Sequence, residues 1–192
     1  MRRLFSPLVI GLIAICGCDS NVRDPNAAAI QNQETEADHA DHGDEIPAGA
    51  IFEFSLNATS VGGENINLEA LKGKVVIVDV WGTWCPPCRD EIPSFIKLQE
   101  KYGPQGFQMV GLNYENLQSD EAAKEKIEAF IKQTGINYPC IVGSPETREQ
   151  IPDFEGFPTT LFIDKAGRVR LKVVGLHPYE DLEEVVTHLL AE

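Results

Sequence analysis

Runs of apolar residues predict an α/β domain in the part of the chain after residue 50. Residues 75–80 are apolar except for Asp79, as expected of a central strand buried on both faces of a sheet. Apolar or alternating residues predict further strands at 51–56, 107–112, 140–142, 159–164 and 169–174. The last two strands are joined by the sequence Lys-Ala-Gly-Arg at 165–168, which favours a hairpin turn.

Three longer helices are predicted between and after these strands. The first begins at Pro86 and ends near Tyr102, and we expect Pro93 to kink it. The second begins after Ser119, a suitable N-cap followed by two acidic residues, and ends near Gly135. The third helix has an apolar face made of Leu182, Val185, Val186, Leu189 and Leu190.

Two shorter features and the order of the elements complete the pattern. A turn is predicted at 61–64, and a short helical turn at 68–71 is closed by Gly73. The order is a strand–helix–strand–helix block followed by a β-hairpin and a helix. This order predicts a mixed central sheet flanked by helices.

The first 50 residues show a different pattern. No aromatic residue lies between Phe5 and Phe52, so no core is expected there. A positive start is followed by an apolar run at 8–15, which is too short to span a bilayer (about 20 residues) but fits a secretory signal. We therefore divide the chain into a signal peptide at 1–17, a tether at 18–50 and a folded domain at 51–192.

Charge supports this division and excludes one class of partner. The formal net charge is −14, so nucleic-acid binding through a basic surface is not expected. Residues 19–50 contain eight acidic residues and one basic residue, which predicts a disordered acidic tether with a span of roughly 30 Å. The remaining acidity falls on the domain and should keep it off an anionic lipid surface.

Cys85 and Cys88 carry the candidate chemistry, at a predicted strand-to-helix junction. Cys85 would be the N-cap, where backbone amides and the helix dipole lower a thiol pKa, so it would be the nucleophile. Cys88, one turn on, would be the resolving thiol of a redox-active disulfide. Pro86 and Pro87 have no N–H, which leaves the Cys88 amide as the nearest donor to the Cys85 sulfur. Weaker thiolate stabilisation predicts a reducing pair.

Several segments resemble known thiol-disulfide proteins. Asp-Val-Trp-Gly-Thr-Trp-Cys-Pro-Pro-Cys-Arg at 79–89 resembles the thioredoxin active-site strand and loop, Gly-Phe-Pro-Thr-Thr at 156–160 its cis-proline segment, and 167–175 the following hairpin. Residues 89–93 and the extra helix at 115–135 look closest to the membrane-anchored TlpA/ResA-type oxidoreductases. The resemblance covers 51–192. It implies a thioredoxin fold with an N-terminal strand extension and an inserted helix, acting as a protein-disulfide reductase without a cofactor.

The resemblance also implies roles for single residues. Pro158 would be cis and face the cysteine pair, while the backbone of Phe157 would pair with an extended substrate segment. Trp84 and Pro86 would contact substrate beside the nucleophile. Asp79 matches the buried aspartate of thioredoxin and would accept the Cys88 proton through a water, although TlpA/ResA-type proteins often have a non-acid there. The alternative is that Asp79 is only a hydrogen-bonded polar residue at a strand end.

A second resemblance concerns membrane attachment. Ile-Cys-Gly-Cys at 15–18 resembles the bacterial lipobox, which implies that Cys18 is lipidated and becomes the mature N-terminus. A plain signal peptide or a short uncleaved anchor are the alternatives. Asp19 implies retention at the inner membrane, facing the periplasm. A reductant there would draw electrons from a membrane-embedded donor and act on protein thiols or disulfides, for example during cytochrome c maturation.

Other residues with possible chemistry are given simpler interpretations. Cys140 is expected to be a buried structural cysteine, with a third redox thiol as the alternative. His177 is expected to cap the last helix, or else to lie near Cys85. Glu91 is expected to be a first-turn helix acid, with an influence on the charge near Cys88 as the alternative, and Trp81 is expected to pack. His39 and His42, which with nearby acids offer metal ligands, are expected to belong to a solvated linker.

Two other functions fit the same cysteines less well. A copper chaperone would use Cys85, Cys88 and His177, but copper carriers with this fold usually space their cysteines further apart. A thiol peroxidase needs a Pro-Thr-Cys pattern, which this sequence lacks. A zinc ribbon would need a second CxxC.

Overall fold

The computed structural model describes residues 49–116 and 119–192. The predicted signal peptide and nearly all of the tether, including Cys18, His39 and His42, lie outside the described residues. In the part of the chain that is described, we find no helix with the length and apolar character needed to cross a membrane.

A mixed five-stranded sheet forms the centre of the domain, as predicted. Two short strands come first, β1 (Asn57–Thr59) and β2 (Asn65–Asn67), which pair with each other. The large sheet has the order β5-β4-β3-β6-β7, with β3 in the middle. The strands β3, β4 and β5 are parallel, and β6 and β7 are antiparallel to their neighbours. The bounds are β3 (Val75–Trp81), β4 (Phe107–Asn113), β5 (Cys140–Val142), β6 (Thr159–Ile163) and β7 (Val169–Val174).

The helices agree with the sequence pattern except for one short element. The predicted helices are confirmed as α1 (Pro86–Tyr102), α2 (Asp120–Thr134) and α4 (Tyr179–Ala191), with 3₁₀ turns at Leu68–Leu71 and Gly103–Gln105. Ser119 caps α2 by accepting from the Ala122 N–H, and α2 ends at Gly135 with a left-handed φ of 76°. The helix α3 (Pro145–Glu149) was not predicted. With five residues it is too short to show a periodic apolar face, and it depends on a capping box between Ser144 and Thr147.

Both faces of the sheet are covered, which explains the continuous apolar run in β3. Every residue of β3 is buried. Its odd-numbered residues Val75, Ile77 and Trp81 belong to a core formed with α1, α2 and α4. Its even-numbered residues Val76, Val78 and Val80 belong to a second core with the N-terminal segment of the domain.

The prediction of a strand at 51–56 is wrong. In that segment only Phe52 makes a bridge, to Val169, while Phe54 and Leu56 are buried in the second core. The alternation of apolar residues therefore reflects packing of side chains against the sheet and not pairing of a strand with it. The N-terminal extension contributes its antiparallel pair one step later, as β1 and β2.

Strand pairing brings the two candidate active-site segments together. The strand β3 ends at Trp81, four residues before Cys85, and β6 begins directly after Pro158. Because Val80 of β3 pairs with Thr159 of β6 in antiparallel register, the end of one strand lies beside the start of the other. The cysteine loop and the proline segment consequently meet at one edge of the sheet.

Candidate active site

Cys85 is the N-cap of α1, as predicted. Its backbone is extended (φ −93°, ψ 108°), and its Sγ accepts the Cys88 N–H at 3.3 Å. Pro86 and Pro87 occupy the first two helical positions and offer no N–H. The predicted hydrogen bond from Cys88 to the Cys85 sulfur is therefore present. The amide and the positive end of the helix dipole both favour negative charge on that sulfur.

Cys85 and Cys88 form a disulfide, with an S–S distance of 2.07 Å. Their Cα atoms are 5.3 Å apart. Cys85 is 3% exposed and Cys88 is fully buried, so the two cysteines differ only slightly in their exposure to solvent. Their positions on the helix distinguish them more clearly, because only Cys85 lies at the N-terminus.

The Phe157–Pro158 peptide bond is cis, as the resemblance implied. The Pro158 carbonyl accepts the N–H of Gly175 at 2.9 Å, which ties this segment to the end of β7. Phe157 lies in edge contact with Trp84, with their ring centroids 5.1 Å apart. Trp84 is 43% exposed, although it is one of the largest apolar side chains. The predicted substrate-contact residues Trp84 and Phe157 thus form one surface next to the disulfide.

Two further aromatic residues join this surface, which we call the aromatic wall (Trp84, Tyr114, Phe154 and Phe157). Phe154 and Tyr114 lie 5.2 Å and 6.1 Å from Phe157 between ring centroids. The indole N–H of Trp84 donates to the Tyr114 carbonyl at 2.8 Å and fixes the orientation of the indole. Tyr114 and Phe154 were missed from the sequence, because they come from separate loops that only the fold brings together.

Asp79 is fully buried in β3, on the face that also holds Ile77, Trp81 and the cysteine pair. Neither of its carboxylate oxygens has a hydrogen-bond partner within the described residues. Both interpretations of Asp79, as the acceptor of the Cys88 proton and as a hydrogen-bonded strand residue, stay predictions. Burial raises the pKa of Asp79 well above its usual value, and the nearby Glu91 raises it further.

Glu91 is not the first-turn helix acid that we expected, because it is the sixth residue of α1. It is fully buried, and its Oε1 accepts the His177 N–H at 3.0 Å while its Oε2 has no partner among the described residues. Burial raises its pKa to about 7, although the His177 hydrogen bond acts in the opposite direction. One signal was available: Glu91 follows Cys88 by three residues, which places both on one helix face.

The remaining candidates take structural positions. His177 does not cap α4, because Pro178 is the N-cap and no side chain caps it; the His177 backbone binds Glu91 instead. Cys140 is buried outside any disulfide, and burial, with a contribution from Asp79, raises its pKa far above normal. Trp81 is fully buried and packs against Phe130. Within 49–116 and 119–192, no three His, Cys, Asp or Glu side chains are grouped to hold a metal ion.

Comparison with known proteins decides the family. The Redoxin family model matches residues 41–188, which is most of the chain. The chain belongs to the Redoxin family. Among curated redoxin-like relatives, the thiol-disulfide oxidoreductase ResA of Bacillus thuringiensis (strain Al Hakam) is 33% identical over 125 residues, covering 65% of this chain and 69% of the relative. ResA of Bacillus subtilis (strain 168) is 29% identical over 187 residues, covering 94% and 93%.

A solved structure supports the same conclusion for the fold. The thiol:disulfide interchange protein of Chlorobium tepidum TLS, a thioredoxin family protein, matches with a TM-score of 0.66 and 31% identity over 75% of this chain and 99% of that one. The predicted thioredoxin fold is confirmed, with the extra antiparallel pair at its N-terminus. This redoxin is a thiol-disulfide oxidoreductase of the TlpA/ResA type, with a Cys85–Cys88 disulfide.

Proposed function

We propose that this redoxin is a lipid-anchored, extracytoplasmic reductase of protein disulfides, in which Cys85 is the nucleophile and Cys88 the resolving thiol. The observation that supports this best is the position of Cys85 at the N-cap of α1, where its sulfur accepts the Cys88 amide. A helix N-terminus stabilises the thiolate that must attack. Cys88, one turn inside the helix and fully buried, is suited to attack only its neighbour.

The reaction proceeds in two exchanges. The Cys85 thiolate attacks one sulfur of a substrate disulfide, forming a mixed disulfide and releasing the first substrate thiolate. Cys88 then loses its proton and attacks the Cys85 Sγ, which releases the second substrate thiolate. The substrate gains two electrons and, after protonation from water, two thiols, and the enzyme ends as the Cys85–Cys88 disulfide.

Asp79 and Glu91 are the candidate acceptors of the Cys88 proton. Both are buried on the side of the sheet that holds Cys88, and each has a carboxylate oxygen without a partner in the described part of the chain. A raised pKa near the working pH makes a carboxylate an effective acceptor and later donor of a proton. Glu91, with a pKa of about 7, fits this requirement. Asp79 would accept the proton through a water that lies between its carboxylate and Cys88.

The reducing direction follows from the donors around Cys85. Pro86 and Pro87 remove two of the amides that a helix N-terminus normally offers, so the thiolate is stabilised by fewer hydrogen bonds. A less stable thiolate favours the disulfide form of the enzyme. Such an enzyme gives its electrons to other disulfides more readily than it takes them.

The substrate would bind along the aromatic wall. Phe157 precedes the cis Pro158 and lies against Trp84, beside the loop with Cys85 and Pro86. An extended segment pairing with the Phe157 backbone would present its disulfide to Cys85. The apolar rings of Trp84 and Phe157 would bury side chains next to the substrate cysteine.

The location and partners are proposed from the N-terminal sequence and the relatives. The relatives include ResA proteins and a Corynebacterium glutamicum structure described as a secreted thiol-disulfide isomerase. A signal peptide at 1–17 and a lipid on Cys18 would hold the domain of residues 51–192 at the periplasmic side of the inner membrane through the tether at 18–50. The electron donor would be a membrane-embedded thiol protein, and one substrate class would be apocytochromes c, whose CxxC thiols must be reduced for haem attachment.

Lipid anchoring is tested by cell fractionation. Because no acyl chain can be attached to Cys18→Ser, this variant should be released into the soluble fraction or remain as a precursor with its signal peptide uncleaved. Cys16→Ser is the matched control and should stay in the membrane. A Cys18→Ser protein that is cleaved and membrane-bound like the Cys16→Ser control would contradict anchoring through Cys18.

The nucleophile and the substrate class are tested together by trapping. In cells that express Cys88→Ser, the mixed disulfide on Cys85 cannot be resolved, so substrate proteins should accumulate on it and be released by a reductant. Cys85→Ser is the control and should trap little. Trapping by Cys85→Ser but not by Cys88→Ser would mean that Cys88 is the nucleophile and Cys85 the resolving thiol. If neither variant trapped a protein, the proposal that protein disulfides are the substrate would be contradicted.

A further inference from the structure

The segment that follows β4 holds the loop that presents Cys85. The Trp84 indole N–H donates to the Tyr114 carbonyl, and the Thr83 backbone N–H donates to Glu115 Oε1, both at 2.8 Å. The Tyr114 N–H in turn donates to the Trp81 carbonyl at 2.8 Å. Both residues directly before Cys85 are therefore fixed by Tyr114 and Glu115.

Glu115 is also tied to the inserted helix. Its side chain has no exposure to solvent, and its Oε2 accepts from Lys126 Nζ on α2 at 2.6 Å. Burial disfavours the charged form, but the hydrogen bonds from Lys126 and Thr83 outweigh it and lower the pKa of Glu115. A buried negative charge thus lies against the residue two positions before Cys85, and Lys126 on α2 offsets it.

We propose that Glu115 and Lys126 are positioning residues that set the reactivity of Cys85, with Glu115 fastening its loop and Lys126 cancelling the charge of Glu115. The proposal rests on the role of Cys85 as the attacking thiol. It gives the helix α2, the inserted element of this fold, a direct part in the chemistry. It also assigns Lys126, which is 44% exposed and distant in sequence from Cys85, to the active site.

The two charges act on the Cys85 thiolate with opposite signs. Without Lys126, the Glu115 carboxylate would repel the thiolate and raise the pKa of Cys85. With glutamine at 115, Thr83 keeps an oxygen acceptor, but the positive charge of Lys126 is no longer offset and the pKa of Cys85 would fall. Since neither charge touches the sulfur and the loop is partly solvated, each shift should be about half a pKa unit, or about threefold in thiolate fraction.

Loss of loop rigidity would give a different result. Loosening the loop by either substitution would weaken the same hydrogen bonds and so move the pKa of Cys85 in one common direction. Opposite shifts from the two halves of one ion pair can arise only from their charges. The other titratable groups around the cysteine pair, Asp79 on β3, Glu91 on α1 and His177 before α4, are unchanged in every variant and cancel in the comparison.

The test measures the rate of Cys85 alkylation by iodoacetamide between about pH 5 and pH 10, in the full-length reduced chain carrying Cys88→Ser. Mass spectrometry of the peptide that contains Cys85 separates its reaction from that of the other cysteines. The variants are Lys126→Met, Glu115→Gln, the two combined, and Lys126→Arg. Lys101→Met, which breaks the Lys101–Glu183 pair between α1 and α4, is the matched control.

The proposal predicts a higher Cys85 pKa for Lys126→Met, a lower one for Glu115→Gln, and a value close to the parent for the double variant, for Lys126→Arg and for the control. Shifts of both single variants in the same direction, or no shift in Lys126→Met, would overturn it. Because Lys126 is half-exposed, its variants remain informative even where Glu115→Gln fails to fold. No protein substrate is used, so this test and the trapping of substrates can fail independently.

Discussion

Among single residues, the least expected are the two carboxyl groups buried near the disulfide. Asp79 points from β3 toward the core that contains the cysteines, and Glu91 lies one turn beyond Cys88 on α1. Burial, with a contribution from Glu91, raises the pKa of Asp79 well above its usual value, and burial raises the pKa of Glu91 to about 7. This arrangement supplies a proton acceptor that responds to pH near neutrality.

Glu91 should make the oxidised domain less stable as the pH rises. Its pKa is raised from 4.5 to about 7, so between these values the folded state binds a proton that the unfolded state has lost. Stability should therefore fall from about pH 4.5 upward and level off above about pH 7, by about 3 kcal/mol. In urea unfolding at pH 4.5 and pH 8, Glu91→Gln should remove the part of the decline that Glu91 contributes, while buried Asp79, whose pKa is also raised, keeps its own part. The exposed Glu100→Gln on the same helix should keep it.

Asp79 should affect the second exchange and not the first. Asp79→Asn leaves Cys85 at the helix N-terminus but removes an acceptor for the Cys88 proton. Release of substrate from the mixed disulfide should slow by at least about tenfold at pH 7. Rapid-quench measurement of mixed-disulfide decay gives this rate, and the alkylation rate of Cys85 is the internal control. An unchanged decay rate would remove Asp79 from the proton route.

Among the elements, the contact between β3 and β4 sets the geometry of the site. Asp79 pairs with Gly111, and the space above Gly111 is filled by the side chains of Trp81, Tyr138 and Cys140. A Cβ at Gly111 would lie 2.9 Å from Trp81 Nε1 and 3.0 Å from the Cys140 sulfur. The glycine is therefore required by packing beside Asp79.

Gly111→Ala should destabilise the domain by about 1–3 kcal/mol, because the buried indole and thiol must move. Gly156→Ala is the matched control, since nothing lies within 4 Å of its Cβ position. The control should be neutral or slightly stabilising. Thermal or urea unfolding measures both, and equal stability of the two variants would contradict the packing argument.

The sequence predicted the elements with long patterns and missed those that depend on the fold. The apolar run in β3 and the periodic apolar faces of α2 and α4 identify them, and Cys85-Pro86 marks the start of α1. The alternation of apolar and polar residues at 51–56 wrongly predicted a strand, because an irregular segment that packs on a sheet can bury alternate side chains without strand pairing. Glu91 was named as a candidate and Glu115 was not, and the burial of both was missed, since burial of a carboxyl group depends on which distant residues cover it.

At the scale of the whole molecule, all the contacts of the candidate site given above lie within residues 49–116 and 119–192. A chain beginning at Gly49 should therefore reduce a soluble protein disulfide at a rate within about twofold of the full-length protein, as measured by the decay of the substrate disulfide with a dithiol as donor. A tenfold lower rate would mean that the N-terminal 48 residues contribute to catalysis and not only to location.

The redox potential of the Cys85–Cys88 pair decides whether the pair is a reductant, as we propose. Equilibration of the purified domain with glutathione buffers of known ratio, followed by alkylation and separation of the two forms, gives the potential. Because Pro86 and Pro87 leave Cys85 with a single helix amide donor, a potential below about −200 mV is expected, toward the range of reducing pairs. A potential above about −150 mV, close to the strong oxidants, would show that the pair is not a reductant.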